Sequence, residues 1–157
     1  DRLAEIVELA AAFQPSKERR LEATAQGAAF VRAIADTWST PAFDRLTDAL
    51  AVRFAGAPPW THAVAVGVAA AAHGVDENAV APAFVQAFAA NLISAGVRAV
   101  PLGQSEGLRL LRALGPLVRR IAATAATADL DAVGGAAVLA DVASMRHETQ
   151  YTRLFRS

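Results

Sequence analysis

Two stretches of this chain contain no Asp, Glu, Lys or Arg. One runs from Phe54 to Val75, the other from Asn78 to Val97. Length alone would let either cross a bilayer as a helix. Pro58, Pro59 and His62 interrupt the first, whose apolar residues are mostly Ala and Val. The second contains Pro82, Gln86, Asn91 and Ser94. The expectation is therefore two helices buried at the centre of a water-soluble bundle, apolar nearly all round, and not a membrane protein. The rest of the chain agrees with a helical fold. It holds 40 alanines in 157 residues, all before position 144, and Ala is the strongest helix former. No segment alternates apolar and polar residues between turn signals as a strand would. The fold class read from this is all-α: a single domain over 1–157, built as a compact multi-helix bundle with central buried Ala-rich helices.

Proline and glycine punctuate the helices. A first helix over about Arg2 to Phe13 carries a stripe of Leu3, Ile6, Val7 and Ala10. Ser16 reads as the N-cap of a second helix, to about Trp38, with Glu18 in its first turn. Leu21, Ala25, Ala28 and Ala29 are its expected inner face, joined by Val31 or Arg32 on the flank, and Gly27 permits close approach of a neighbour. Thr40 caps a third helix with Pro41 at its first position and a Phe43, Leu46, Leu50, Phe54 stripe. A fourth helix, Thr61 to His73, stops at Gly74. Asp76 opens a fifth, whose bulky face is Phe84, Phe88, Leu92 and Ile93. A sixth runs from about Ser105 to Thr127, with a kink or break expected at Gly115-Pro116. A short helix around Ala136 to Met145 leads into the tail.

Composition removes several function classes. Fifteen basic and fifteen acidic residues cancel, so no general attraction to nucleic acid or an anionic membrane is expected. There is no cysteine, hence no thiolate nucleophile or metal ligand. His62 and His73 lie eleven residues apart, about 16 Å along one helix, too far to share a metal. They read as helix-end or interface histidines. No glycine cluster follows a strand as a phosphate cradle would. The basic runs "KERR" and "LVRR" lack interleaved aromatics and read as solvated faces. Asp129 and Asp131 read as loop carboxylates. No catalytic residue, metal site or cofactor is implied.

Two segments are chemically denser. One is "NLISAGVRAVPLGQSEGLRLL", Asn91 to Leu111. The other is "VASMRHETQYTRLFRS", Val142 to Ser157. Residues 144–157 contain no alanine but carry Tyr151, Leu154 and Phe155 among Arg146, Arg153 and Arg156. On a helix, Tyr151, Leu154 and Phe155 would form one stripe. Aromatics and arginines are the residues that most often anchor interfaces, and arginine makes forked bonds to carboxylates. Such a stripe can fold back on its own bundle or dock on a partner.

Together these segments resemble the urease accessory protein F family. That family has a V-P-L-G-Q-T/S-D/E-G connector, matched by Val100 to Gly107, and ends on a segment matched nearly literally by Val142 to Ser157. "RLEATAQGAAFVRA", Arg20 to Ala33, is similar to the family's Q-G-R-A-F helix, with Ala28 where Arg is usual. The family begins with a further aromatic and acidic N-terminal region. Nothing like it precedes Asp1, which together with the missing Met reads as a fragment or trimmed product.

The resemblance implies a cytoplasmic, all-α, commonly dimeric protein that is not an enzyme. It would bridge accessory protein D (also called H) and the nickel-carrying GTPase accessory protein G, so that nickel reaches apo-urease. Partner-binding residues would be Arg146, His147, Glu148, Gln150, Tyr151, Arg153, Leu154, Phe155 and Arg156, with Arg153 in the region that recruits the GTPase. Gly96, Pro101, Gly103 and Gln104 are candidates for the dimer seam; the same Pro and Gly could simply turn the chain. Two other classes compete: an α-helical ligand-binding or interaction module unrelated to urease, and a peripheral membrane protein anchored by its tail.

Overall fold

The computed structural model describes residues 2–135 and 137–151. Among them are seven α-helices, one 3-10 turn and no strand. The helices are α1 (Arg2–Ala12), α2 (Lys17–Trp38), α3 (Pro41–Arg53), α4 (His62–Ala72), α5 (Glu77–Ala99), α6 (Gln104–Thr127) and α7 (Val138–His147). They fall into two units. The first comprises residues 1–74 and 134–157, the second 75–133.

In the first unit α2 and α3 both pack on α4, α1 packs on α2 and α4, and α7 packs on α2. The start of each helix follows its local sequence. The Ser16 hydroxyl accepts from the Arg19 N–H at 3.2 Å, and Thr40 accepts from the Phe43 N–H at 3.1 Å, directly ahead of Pro41. Each satisfies a donor that a helix start leaves without an intrahelical partner. α4 ends at His73 and Gly74, whose φ of +65° glycine adopts without strain. The His73 ring ties two helix ends together. Its Nδ1 lies 2.7 Å from the Ala69 carbonyl and its Nε2 2.7 Å from that of Trp38. His62 meets Phe30 edge to face, with centroids 5.6 Å apart. Both histidines are thus engaged between helices.

The core of this unit joins Ala4, Val7, Phe43, Leu50, Trp60, Ala65, Val68 and Ala69. Alanines on α1 and α4 let the helices approach while Phe43, Leu50 and Trp60 fill the space between them. The expected stripe of α3 is found: Phe43 and Leu50 are buried, with Leu46 and Phe54 packed at the rim. α1 buries Ala4, Val7 and Ala11, with Leu3 and Ile6 on the flank. The inner face expected for α2 is corrected. Leu21 is 68% exposed, and Ala25 and Ala29 also face outward. The buried position is Gly27, with Phe30, Val31 and Ile34 continuing its face. A Cβ on Gly27 would lie 2.2 Å from the Trp60 carbonyl oxygen. The backbone entering α4 therefore presses on that glycine, and the approach fixes which face of α2 turns inward.

The second unit is a helical hairpin, α5 and α6 packed along each other and joined by Val100–Gly103. Asp76 caps α5 by accepting from the Asn78 N–H at 2.9 Å. Gly107, Val118 and Ala122 form the buried line of α6. A Cβ on Gly107 would meet Ile93 Cγ2 at 3.0 Å and Val97 Cγ2 at 3.2 Å, so this glycine sets the spacing near the turn. α6 runs unbroken through Gly115 and Pro116, so it is one helix and not the two shorter helices that the sequence allowed as an alternative to a kink. Proline removes one backbone donor there, and the flanking helical bonds carry the helix through.

The two charge-free stretches behave differently. α4 buries Ala65, Val68 and Ala69 as expected. α5 buries none of its residues fully, which corrects the expectation of a second fully buried helix. One partner helix covers one face of a hairpin, and the bulky stripe is split: Ile93 packs toward Gly107 of α6 and Phe84 is half-buried, while Phe88 is 54% and Leu92 59% exposed. α5 is the one helix among the described residues long and apolar enough to cross a membrane by length and composition.

Candidate functional site

The chemically dense C-terminal segment begins inside α7, and its geometry follows from where α7 sits. Ser144, His147 and Glu148 are spaced i, i+3, i+4, so they share one helix face. All three meet the first turn of α2. The Ser144 and Ser16 hydroxyls lie 2.7 Å apart. The Lys17 N–H donates to Glu148 Oε1 at 2.7 Å. His147 Nδ1 lies 2.6 Å from Glu18 Oε2. Glu148 thereby satisfies a donor at the start of α2, where a carboxylate is also favoured by the helix dipole.

Beyond that seam α7 is open to solvent. Val138, Val142 and Met145 are exposed, and Leu139 is 88% exposed. Leu139, Val142, Ala143, Arg146, His147 and Gln150 line an open groove of about 530 Å³. The groove is apolar along the helix and carries a guanidinium, an imidazole and an amide at its C-terminal end. Tyr151 is fully exposed. A surface of exposed aliphatic side chains with a neighbouring Arg and Tyr has the composition of a protein interface. Among the described residues no group of three or more His, Asp or Glu is placed to hold a metal ion.

The expected partner-binding residues therefore divide. Arg146, Gln150 and Tyr151 are exposed, and the first two line the groove. His147 also lines it while bonded to Glu18. Glu148 is turned toward α2 by its bond to Lys17. Arg153, Leu154, Phe155 and Arg156 lie outside the described residues. Sequence reading assigned Ser16 and Glu18 only local roles at the start of α2. Nothing in the sequence signals their pairing with residues 128 and 129 positions away.

The four candidates for a dimer seam gather at the α5–α6 corner. Gly96 is half-buried, and a Cβ there would sit 3.7 Å from Leu102 Cδ2, an ordinary contact. Pro101, Gly103 and Gln104 are exposed. The Gly103 N–H donates to the Glu106 carboxylate at 3.0 Å, which fastens the start of α6. Within the hairpin these residues turn the chain. The close helix approach is made by Gly107, the last residue of the Val100 to Gly107 motif.

Comparison with known proteins adds the family. The UreF family model matches residues 1–115. A protein of Bradyrhizobium sp. strain BTAi1 called urease accessory protein UreF is 50% identical over all 157 residues. Proteins of the same name from Bradyrhizobium sp. strain ORS 278 and Rhodopseudomonas palustris strain BisB5 are 47% identical over 156 residues and 48% over 155, each 99% of this chain. The chain spans 62%, 62% and 61% of the lengths of these three relatives. With a family model matching more than two-thirds of its residues and an all-helical fold, the chain belongs to the UreF family.

Proposed function

We propose that this chain is the greater part of a non-catalytic urease maturation factor. It acts in the cytoplasm and bridges accessory protein D/H and the GTPase accessory protein G, which carries nickel as cargo for apo-urease. The observation that carries this reading is the solvent-facing side of α7. Leu139, Val142 and Met145 are exposed beside Arg146 and run toward the fully exposed Tyr151, at and just ahead of the Val142 to Ser157 segment whose sequence resembles the family's C-terminal one. Burying that apolar strip against a partner is favourable, and the arginine and tyrosine supply anchors. The outward Phe88 and Leu92 of α5 support a second self-associating surface, with Gly96, Pro101, Gly103 and Gln104 at its corner. The part played is positioning: D/H binds α7 and the residues after it, Arg153 among them, and the composite surface receives G.

Deletion of residues 149–157 from the full-length protein tests this on a sizing column. The truncated protein is expected to elute separately from purified D/H partner while keeping its helical circular dichroism. Unchanged co-elution would sink the assignment of the tail.

A further inference from the structure

We infer that the first turn of α2, Ser16 to Glu18, is the seat that positions the C-terminal arm for its partner, with Glu18 and the Lys17 N–H as positioning groups. This rests on the proposed role of α7 in partner binding. Every other α-helix of its unit buries at least one residue; α7 buries none. Among the described residues, three hydrogen bonds tie one side of it to the start of α2. Ser144 meets Ser16, His147 meets Glu18, and Glu148 accepts from Lys17. Two of the three bonds involve a carboxylate, and charge-assisted bonds are the stronger kind. The anchors occupy one helix face, so together they fix the rotation of α7 about its axis. That rotation points Leu139, Val142 and Arg146 into solvent. His147 links the two sides, since it bonds Glu18 and lines the groove.

Because these bonds are polar, they can be weakened without touching the apolar core. Lys17→Pro is the sharpest variant. Lys17 is the first residue of α2, where proline is tolerated, and of the backbone's hydrogen bonds only the one from its N–H to Glu148 is lost, together with the lysine ammonium. The preceding Ser16 has φ −145° and ψ 163°, a conformation compatible with a following proline. Glu18→Gln removes the charge facing His147. The double variant Glu18→His with His147→Glu restores the imidazole–carboxylate hydrogen bond in reverse. Arg20→Gln, two positions beyond the seat, is the control.

Two readouts on the full-length protein decide the matter. Amide exchange over residues 142–148 is measured without partner, and affinity for purified D/H by titration. Lys17→Pro and Glu18→Gln should each speed exchange about tenfold and weaken D/H binding several-fold, with the reversed pair recovering part of both. The Arg20→Gln protein should match wild type. Wild-type exchange rates in Lys17→Pro and Glu18→Gln would overturn the seat. Faster exchange with unchanged D/H affinity would overturn its positioning role. Absence of any D/H binding by wild type would defeat the partner reading itself, and with it the positioning role. Exchange alone would then still decide whether α2 seats the arm.

Discussion

Phe43→Ala should destabilise the first unit by about 3–5 kcal/mol, the range for emptying a buried phenylalanine site. Phe43 has no exposed surface and is among the largest fully buried side chains. Its ring stands 6.4 Å from that of His73, which itself bridges the ends of α2 and α4. Its backbone N–H is held by Thr40, so the start of α3 is pinned and cannot move far to fill the space. The cavity should persist, which is the costly case. Phe43→Leu keeps most of the volume and should cost less than half as much. Urea unfolding followed by circular dichroism distinguishes the two. Equal midpoints for the leucine and alanine proteins would show that the site collapses and that the pinning is wrong.

Gly27→Ala and Gly67→Ala should move stability in opposite directions, although both put alanine into a helix. Alanine is favoured over glycine there by up to about 1 kcal/mol. At Gly67 nothing lies within 4 Å of an added Cβ, so the gain should appear nearly whole. At Gly27 the Cβ would lie 2.2 Å from the Trp60 carbonyl oxygen and 2.7 Å from the carbonyl carbons of Trp60 and Thr61. These are backbone atoms with no rotamer to change. α2 and the entry to α4 must separate, and overpacking of this kind costs about 1–3 kcal/mol or more. A net loss of about 2 kcal/mol is expected after the propensity gain is subtracted. The urea midpoint should fall for Gly27→Ala and rise for Gly67→Ala. A rise in both would mean that the two helices are not held at this distance.

What the sequence revealed follows how local each cause is. Thr40, Pro41 and Phe43 announce the start of α3, because capping and proline placement act within four residues. The α3 stripe was equally legible, since its apolar residues alternate with Arg45, Asp48 and Arg53. The inner face of α2 was not. Its alanines lie on every side, so Leu21, Ala25 and Ala29 matched an inward stripe as well as Phe30 and Ile34 did, and of that expected face the flanking Val31 does pack against the core. The choice is made by Gly27 against the backbone of Trp60, a contact from another part of the chain. α5 misled for a related reason. A helix without charges reads as buried all round, yet a hairpin covers one side and leaves Phe88 and Leu92 outward.

The candidate site divides in the same way. The unusual chemistry of residues 144–157 marked it in the sequence, because Tyr, Met and Arg replace the alanine of the body. That His147 and Glu148 serve α2 was hidden, since each pairs with a residue about 130 positions earlier. Arg146, Gln150 and Tyr151, by contrast, are exposed.

Amide-exchange footprinting of the full-length protein, alone and with purified D/H partner, tests most directly the proposal that α7 and the residues after it form the partner surface. Slowed exchange is expected from Val138 through the C-terminus, with α3 unchanged because Phe43 and Leu50 already bury its inner face. Protection elsewhere on the chain, with residues 138–157 exchanging as they do in the protein alone, would contradict it.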